Sequence, residues 1–248
     1  MPALLLMRSQ VNSAVGHTQY SIREPRTAAC IASDISSRVA HCADPSIANL
    51  RQVRRQISLE LRREAPNVIV RAAQQLVRDG AIPRWLAYEL LSHDVRAMAR
   101  LIPKDVENLA KGMSTWGDVD AFACYVAGPA WREGRLETED IVRWAASANR
   151  WWRRAALVST VPLNNTARGG HGDATRTTLI CDLLRHDRDD MVIKALSWAL
   201  RELAKKEPGV IEAYLSKREA ELPPRVVREV RNKLLTGLKN PKSRRTDA

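Results

Sequence analysis

The sequence predicts an all-α fold, a solenoid of stacked helix pairs, on three observations. First, the apolar 45% of the 248 residues is supplied mostly by Ala, Leu and Val, with one Phe and four Tyr, a helix-rich composition. Second, from Ile47 onward apolar residues recur at helical spacing in successive segments, and no strand-like alternation interrupts them. Third, the breakers between segments are short, so neighbouring helices must pack against each other.

The segments open near Ile47, Asn67, Pro83, Pro103, Trp116, Thr138, Asn149, Asp173, Asp189, Pro208 and Pro224. Pro83, Pro103 and Pro224 fall where a first helical turn tolerates a missing N–H, and Thr138 and Asp189 are expected as N-caps. The run Trp151 to Leu157 is echoed by Val192 to Trp198, and a repeat of roughly 40 residues suits HEAT-like pairs. Before Ile47 every apolar cluster is broken by Ser, Thr, Asn, Pro or Arg. Residues 1–45 are therefore expected to be a poorly ordered extension, or the product of a start read too early, ahead of a helical domain over 46–238. A basic tail, 239–248, follows.

Forty Lys and Arg against 28 Asp and Glu give a net charge of +12. A polyanionic partner is the natural reading, with a solubility charge as the bland alternative. Cys30, Cys42, Cys124 and Cys181 form no Cys-x-x-Cys pair, and His171 beside Asp173 reads as a turn residue. No metal, cofactor or disulfide framework is expected, and the location is expected to be the cytoplasm. No apolar run reaches the roughly 20 residues that span a bilayer, and the opening Met1 to Met7 is no secretory signal.

Three segments carry candidate chemistry. In Asp189 to Lys205, Val192, Leu196, Ala199, Leu200 and Leu203 form one stripe. Trp198 lies opposite them with Lys194 at i−4 and Arg201 at i+3; burial between repeats is its alternative. Trp116 and Asp120, at i and i+4, project an indole and a carboxylate from one side of a helix start, although Asp118 and Asp120 also suit a helix N-terminus electrostatically. Arg154, with Trp151 at i−3 and Leu157 at i+3, is a guanidinium inside an apolar stripe. It needs a phosphate or a partner carboxylate.

Trp116 to Asp120, Trp152 to Ala156 and Lys194 to Lys205 together resemble, in order, the three helix motifs of the AlkD-type DNA alkylation repair glycosylases. The similarity runs from about Leu50 to Leu238. The resemblance implies a HEAT-like solenoid whose concave, basic face grips duplex DNA, most simply as a monomer. It implies hydrolysis of the N-glycosidic bond of cationic N3- or N7-alkylated purines without base flipping. Carried over by position, the catalytic residues are Asp120, Trp116 and Trp198, and Arg154 contacts phosphate; Arg153, Lys194 and Arg201 are further expected DNA contacts. Gly117 and the loop Asn164 to Asp173 depart from the family pattern. A silent DNA-binding module and a protein-interaction solenoid are the rival readings.

Overall fold

The computed structural model describes residues 26–241. These form fifteen α-helices, one π-turn and two 3-10 turns, with no strand among the described residues. The helices are α1 Ala28–Ala40, α2 Ile47–Leu61, α3 Pro66–Asp79, α4 Arg84–Ser92, α5 Val95–Met98, α6 Pro103–Ala110, α7 Trp116–Phe122 and α8 Gly128–Arg132. They continue as α9 Thr138–Ala145, α10 Arg150–Val158, α11 Val161–Asn164, α12 Ala174–Leu184, α13 Asp190–Leu203, α14 Pro208–Arg218 and α15 Pro224–Thr236.

Local chemistry sets the starts. Ser46, Thr115, Asn149, Asp173 and Asp189 each accept an early backbone N–H of the following helix, which satisfies a donor that has no intrahelical partner. Proline opens α3, α6, α14 and α15. At the other end, Gly80 and Gly237 close α3 and α15 in the left-handed conformation.

Helices α2, α4, α7, α10, α13 and α15 lie side by side, each touching the next, as one layer. Against it pack α1, α3, α6, α9 and α12, paired with α2, α4, α7, α10 and α13 respectively. Each helix buries its apolar stripe between the layers. An aromatic chain crosses this core: Tyr88 to Phe122 at 5.9 Å, Phe122 to Trp144 at 6.0 Å and Trp144 to Trp152 at 5.0 Å between centroids. It joins α4, α7, α9 and α10, the frame on which α7 is held.

Two expectations are corrected. The extension drawn over 1–45 contains a helix, α1, which buries Ile31, Ala32 and Ile35 against α3. Its large apolar residues are Ile31, Ile35 and Val39, set among Ala, Ser, Asp and Arg, so its pattern is weak in isolation; Met1 to Pro25 lie outside the described residues. Nor does Thr138 cap α9. Glu137 does, its backbone N–H donating to Asp140 Oδ2 at 3.0 Å, while the Thr138 hydroxyl accepts the Trp131 indole N–H at 3.3 Å. Of the tail, 239–241 follow α15 outside any helix, and 242–248 are outside the described residues.

No helix among the described residues is long and apolar enough to cross a membrane.

Candidate functional site

Three adjacent helices of the first layer, α7, α10 and α13, build a cleft of about 400 Å³ lined by Trp116, Asp120, Arg154, Met191, Lys194, Trp198 and Arg201, with Lys239 from the tail. The Thr115 cap starts α7 at Trp116, so the indole projects from the first turn and is 61% exposed. Asp120 follows one turn later on the same side. Directly after Phe122 the helix widens into a π-turn, Ala123–Ala127, a feature that often marks functional sites. Gly128 follows because any side chain there would collide with Ser159 O and Pro162.

On α13 the aliphatic stripe Val192, Leu196, Ala199, Leu200 and Leu203 is fully buried. That orientation turns Met191, Lys194, Trp198 and Arg201 toward the cleft, with Trp198 half-buried at its wall. The structure therefore brings Trp116, Asp120 and Trp198 to one place, as the motif order implied.

Arg154 is where it was expected but holds a different partner. Its Nε donates to Asp120 Oδ1 and its Nη2 to Asp120 Oδ2, both at 2.8 Å, and its Nη1 donates to Met191 O at 2.5 Å. The residue is 5% exposed. Of the two alternatives the sequence left open, the carboxylate is the one seen. Two Arg donors fill only part of what a carboxylate can accept, so the remaining lone pairs of Asp120 are open to the cleft. Burial pushes the Asp120 carboxyl above the usual aspartate range, against the opposing pull of Arg154.

Arg153 does not line the cleft. Its Nε donates to Asp187 Oδ2 at 2.6 Å and its Nη1 to the carbonyls of Ser147 and Ala148, stapling the turn before α10 to the loop before α13. Lys194 does face the cleft, pairing at 2.6 Å with Asp190 on its own helix. Arg201 bonds to Ser197 Oγ at 3.1 Å.

Sequence reasoning missed Met191 and the role of Glu229. Met191 stands at i−3 from Lys194 and i−7 from Trp198, so the same projection that singled out Trp198 contains it. Glu229, on α15, is 2% exposed and accepts the Ser197 hydroxyl at 2.6 Å. It also lies 4.0 Å from Arg201 Nε and 3.5 Å from Lys239 Nζ. One buried carboxylate thus anchors two of the cleft's cations, through a contact 28 residues from Arg201 that no local pattern reveals.

Among the described residues Asp120 is the one carboxylate of the cleft lining, against four cations. Such an arrangement can hold a polyanion by its phosphates while presenting a carboxylate in the same cleft as the two indoles. Among the described residues no cluster of His, Cys, Asp and Glu is arranged to hold a metal ion.

A family model described as DNA alkylation repair enzyme matches residues 42–234. No curated protein matches the chain.

Proposed function

The chain belongs to the DNA alkylation repair enzyme family, and from that premise we propose that it is a DNA-alkylpurine N-glycosylase, hydrolysing the bond between deoxyribose and a cationic N3- or N7-alkylated purine in duplex DNA. The observation that carries this reading is that Asp120, the one carboxylate among the described lining residues, shares a cleft with Trp116, Trp198 and four cations.

An alkylated purine that already bears a positive charge leaves readily, so the demand on the protein is at the sugar. As the C1′–N bond lengthens, positive charge develops on the deoxyribose, the oxocarbenium character that carboxylates stabilise in glycoside hydrolysis. Arg154 holds Asp120 ready to meet that charge by fixing both of its oxygens from one side, and the exposed lone pairs meet the sugar or the attacking water from the other. The indole faces of Trp116 and Trp198 add attraction for the same charge, about 0.5–2 kcal/mol each by analogy with cation–π pairs. The cations Lys194, Arg201 and Lys239 take the backbone phosphates. Arg154 is a positioning residue in this reading, since its donors are occupied by Asp120 and Met191.

The Asp120–Arg154 ion pair also favours a second reading, a module that binds damaged DNA by charge and shape with the pair serving only the fold. Base release separates the two. Methylated duplex DNA is incubated with the protein in chelator, and the freed bases are resolved by HPLC. Release of 7-methylguanine or 3-methyladenine above the spontaneous rate supports the glycosylase. Tight binding with no release supports the silent module. The expected solution state is a monomer and the expected location the cytoplasm.

A further inference from the structure

A second cavity, of about 510 Å³, begins at the π-turn that continues α7 and shares no described lining residue with the cleft. It is bounded by α5, by the π-turn and α8, and by the 3-10 turn Thr166–Arg168. Its volume is within the about 300–1,000 Å³ typical of small-molecule sites. Cys124, at its edge, follows Asp120 by four residues, about 6 Å along the axis.

The wall of this cavity is built, not draped. Asn164, fully buried, donates to Thr160 O at 3.0 Å and to Thr177 Oγ1 at 2.8 Å, and accepts the Asp173 N–H at 2.8 Å. Arg132 Nη1 donates to Arg168 O at 2.6 Å and to Pro162 O at 3.4 Å. Gly170 has no room for a Cβ against the backbone of Pro162 and Leu163. Asn165 Nδ2 ties the loop to Glu202 on α13 at 2.8 Å, four residues beyond Trp198. These bonds set the Arg168 guanidinium 4.8 Å over the Tyr125 ring, with its Nη1 donating to Cys124 O at 3.4 Å. The ring is fixed from its far end, where the Tyr125 hydroxyl donates to the buried Glu89 at 2.9 Å.

The cavity lining therefore combines the planar Arg168–Tyr125 stack with the apolar Met98 and Ala99 and the exposed Arg135. Its lining carries three arginines and one carboxylate, Glu133, which Arg132 pairs at 3.1 Å. A cationic alkylated base is repelled by that balance. An uncharged base stacks on a guanidinium–aromatic pair, and its phosphate is attracted by the free charge.

We propose that this cavity binds one uncharged nucleobase, stacked on Arg168, as part of a nucleotide whose phosphate meets Arg135. The occupant is either a base extruded from the strand held in the neighbouring cleft or a free nucleotide. The site stands or falls independently of whether Asp120 cleaves a glycosidic bond.

Calorimetric titration with adenosine 5′-monophosphate, ribose 5-phosphate and inorganic phosphate tests it. The monophosphate should bind at least tenfold more tightly than either base-free anion. Arg168→Ala should lose at least tenfold, and Val95→Trp, at a 79% exposed position on the cavity wall, should lose as much by filling the space without touching the loop. Asp120→Asn should leave this binding unchanged. Equal binding of adenosine and ribose phosphates, or full binding by both cavity variants, overturns the proposal. Quenching of a single 2-aminopurine in an oligonucleotide, lost in Arg168→Ala, assigns the occupant to the strand; nucleotide binding without such quenching assigns it to the free pool.

Discussion

Arg154 and Asp120 meet face to face across α10 and α7, Nε on Oδ1 and Nη2 on Oδ2, each at 2.8 Å. A planar fork against a planar carboxylate leaves little rotational freedom to either. Asp120→Asn keeps the shape and one acceptor for Arg154 while removing the charge. Base release should fall about 100- to 1,000-fold, the loss typical of removing a preorganised electrostatic group, and DNA affinity should change less than twofold. Single-turnover rates beside binding isotherms measure both; release within threefold of the unaltered protein would rule out a catalytic role for Asp120.

Removing the other partner has a different signature. Arg154→Ala strands a half-buried carboxylate without its counter-ion, and breaking such a pair costs about 3 kcal/mol or more where burial is complete. The exposure of Asp120 to the cleft places the expected loss below that. Arg154→Lys restores the charge without the two-point contact, so stability should recover more than the catalytic rate does. Urea melts read alongside kcat and KM separate the two: a rate that recovers fully with Lys would assign Arg154 to the fold alone.

The pH profile follows from the raised pKa of Asp120, whose cause is burial. Its folded pKa exceeds the ordinary 3.8, so the native state holds the proton more tightly than the unfolded chain. Ionised Asp120 opposes folding above the folded pKa, and that opposition is gone below 3.8. Base release that depends on the proposed Asp120 carboxylate should decline as pH falls through a value above 3.8. Glu89 and Asp94 run the other way. Their pKa values lie below the usual carboxylate range, held there by Arg51 and Tyr125 in one case and Arg96 and the Ala97 N–H in the other, despite burial. The stability they contribute is present above the unfolded pKa and lost as pH falls through the folded one. The acid limb of base release should therefore precede acid unfolding, as paired rate and circular-dichroism titrations would reveal; coincident curves would contradict it.

The cations sort by whether they line the cleft. Lys194→Ala and Lys239→Ala each remove a charge from the cleft lining, and each should flatten the slope of log K against log salt by about 0.9. Arg153→Ala should leave that slope intact, because Arg153 lies outside the cleft lining and its donors staple two loops together, and should lower the melting temperature instead. A slope change in Arg153→Ala would return it to the DNA contacts.

These residues also mark how far the sequence was legible. Helix starts were readable because Ser, Thr, Asn, Asp and Pro act locally, and the α13 stripe was readable because helical geometry is local too. Trp116, Asp120 and Trp198 could be brought together only through the order of three motifs, since the placement of α7 relative to α13 is set by α10 packed between them. The assignments of Arg153 and Arg154 turned on partners 34 residues away, Asp187 and Asp120. Spacing alone gives a buried arginine the need for an anion and says nothing of which anion meets it. Helix α1 escaped because its three buried positions are stabilised by α3, a surface the isolated segment does not carry.

The two kinds of tryptophan in this chain give the sharpest separation of chemistry from packing. Trp116 is 61% exposed at the cleft mouth, whereas Trp144 is 3% exposed between Phe122 and Trp152. Trp144→Ala opens a cavity in the aromatic chain that supports α7 and should cost about 3–5 kcal/mol of stability. Trp116→Ala removes an indole that contributes little burial, so its melt should match the unaltered protein within about 0.5 kcal/mol. If that indole faces the developing sugar charge, base release should still drop, by the two- to thirtyfold that about 0.5–2 kcal/mol of cation–π attraction represents. Trp116→Phe, with a weaker but present π-face, should fall between the two. A Trp116→Ala protein of full stability and full activity would remove one wall from the proposed site, and the case for Asp120 would then rest on Trp198 and the surrounding cations.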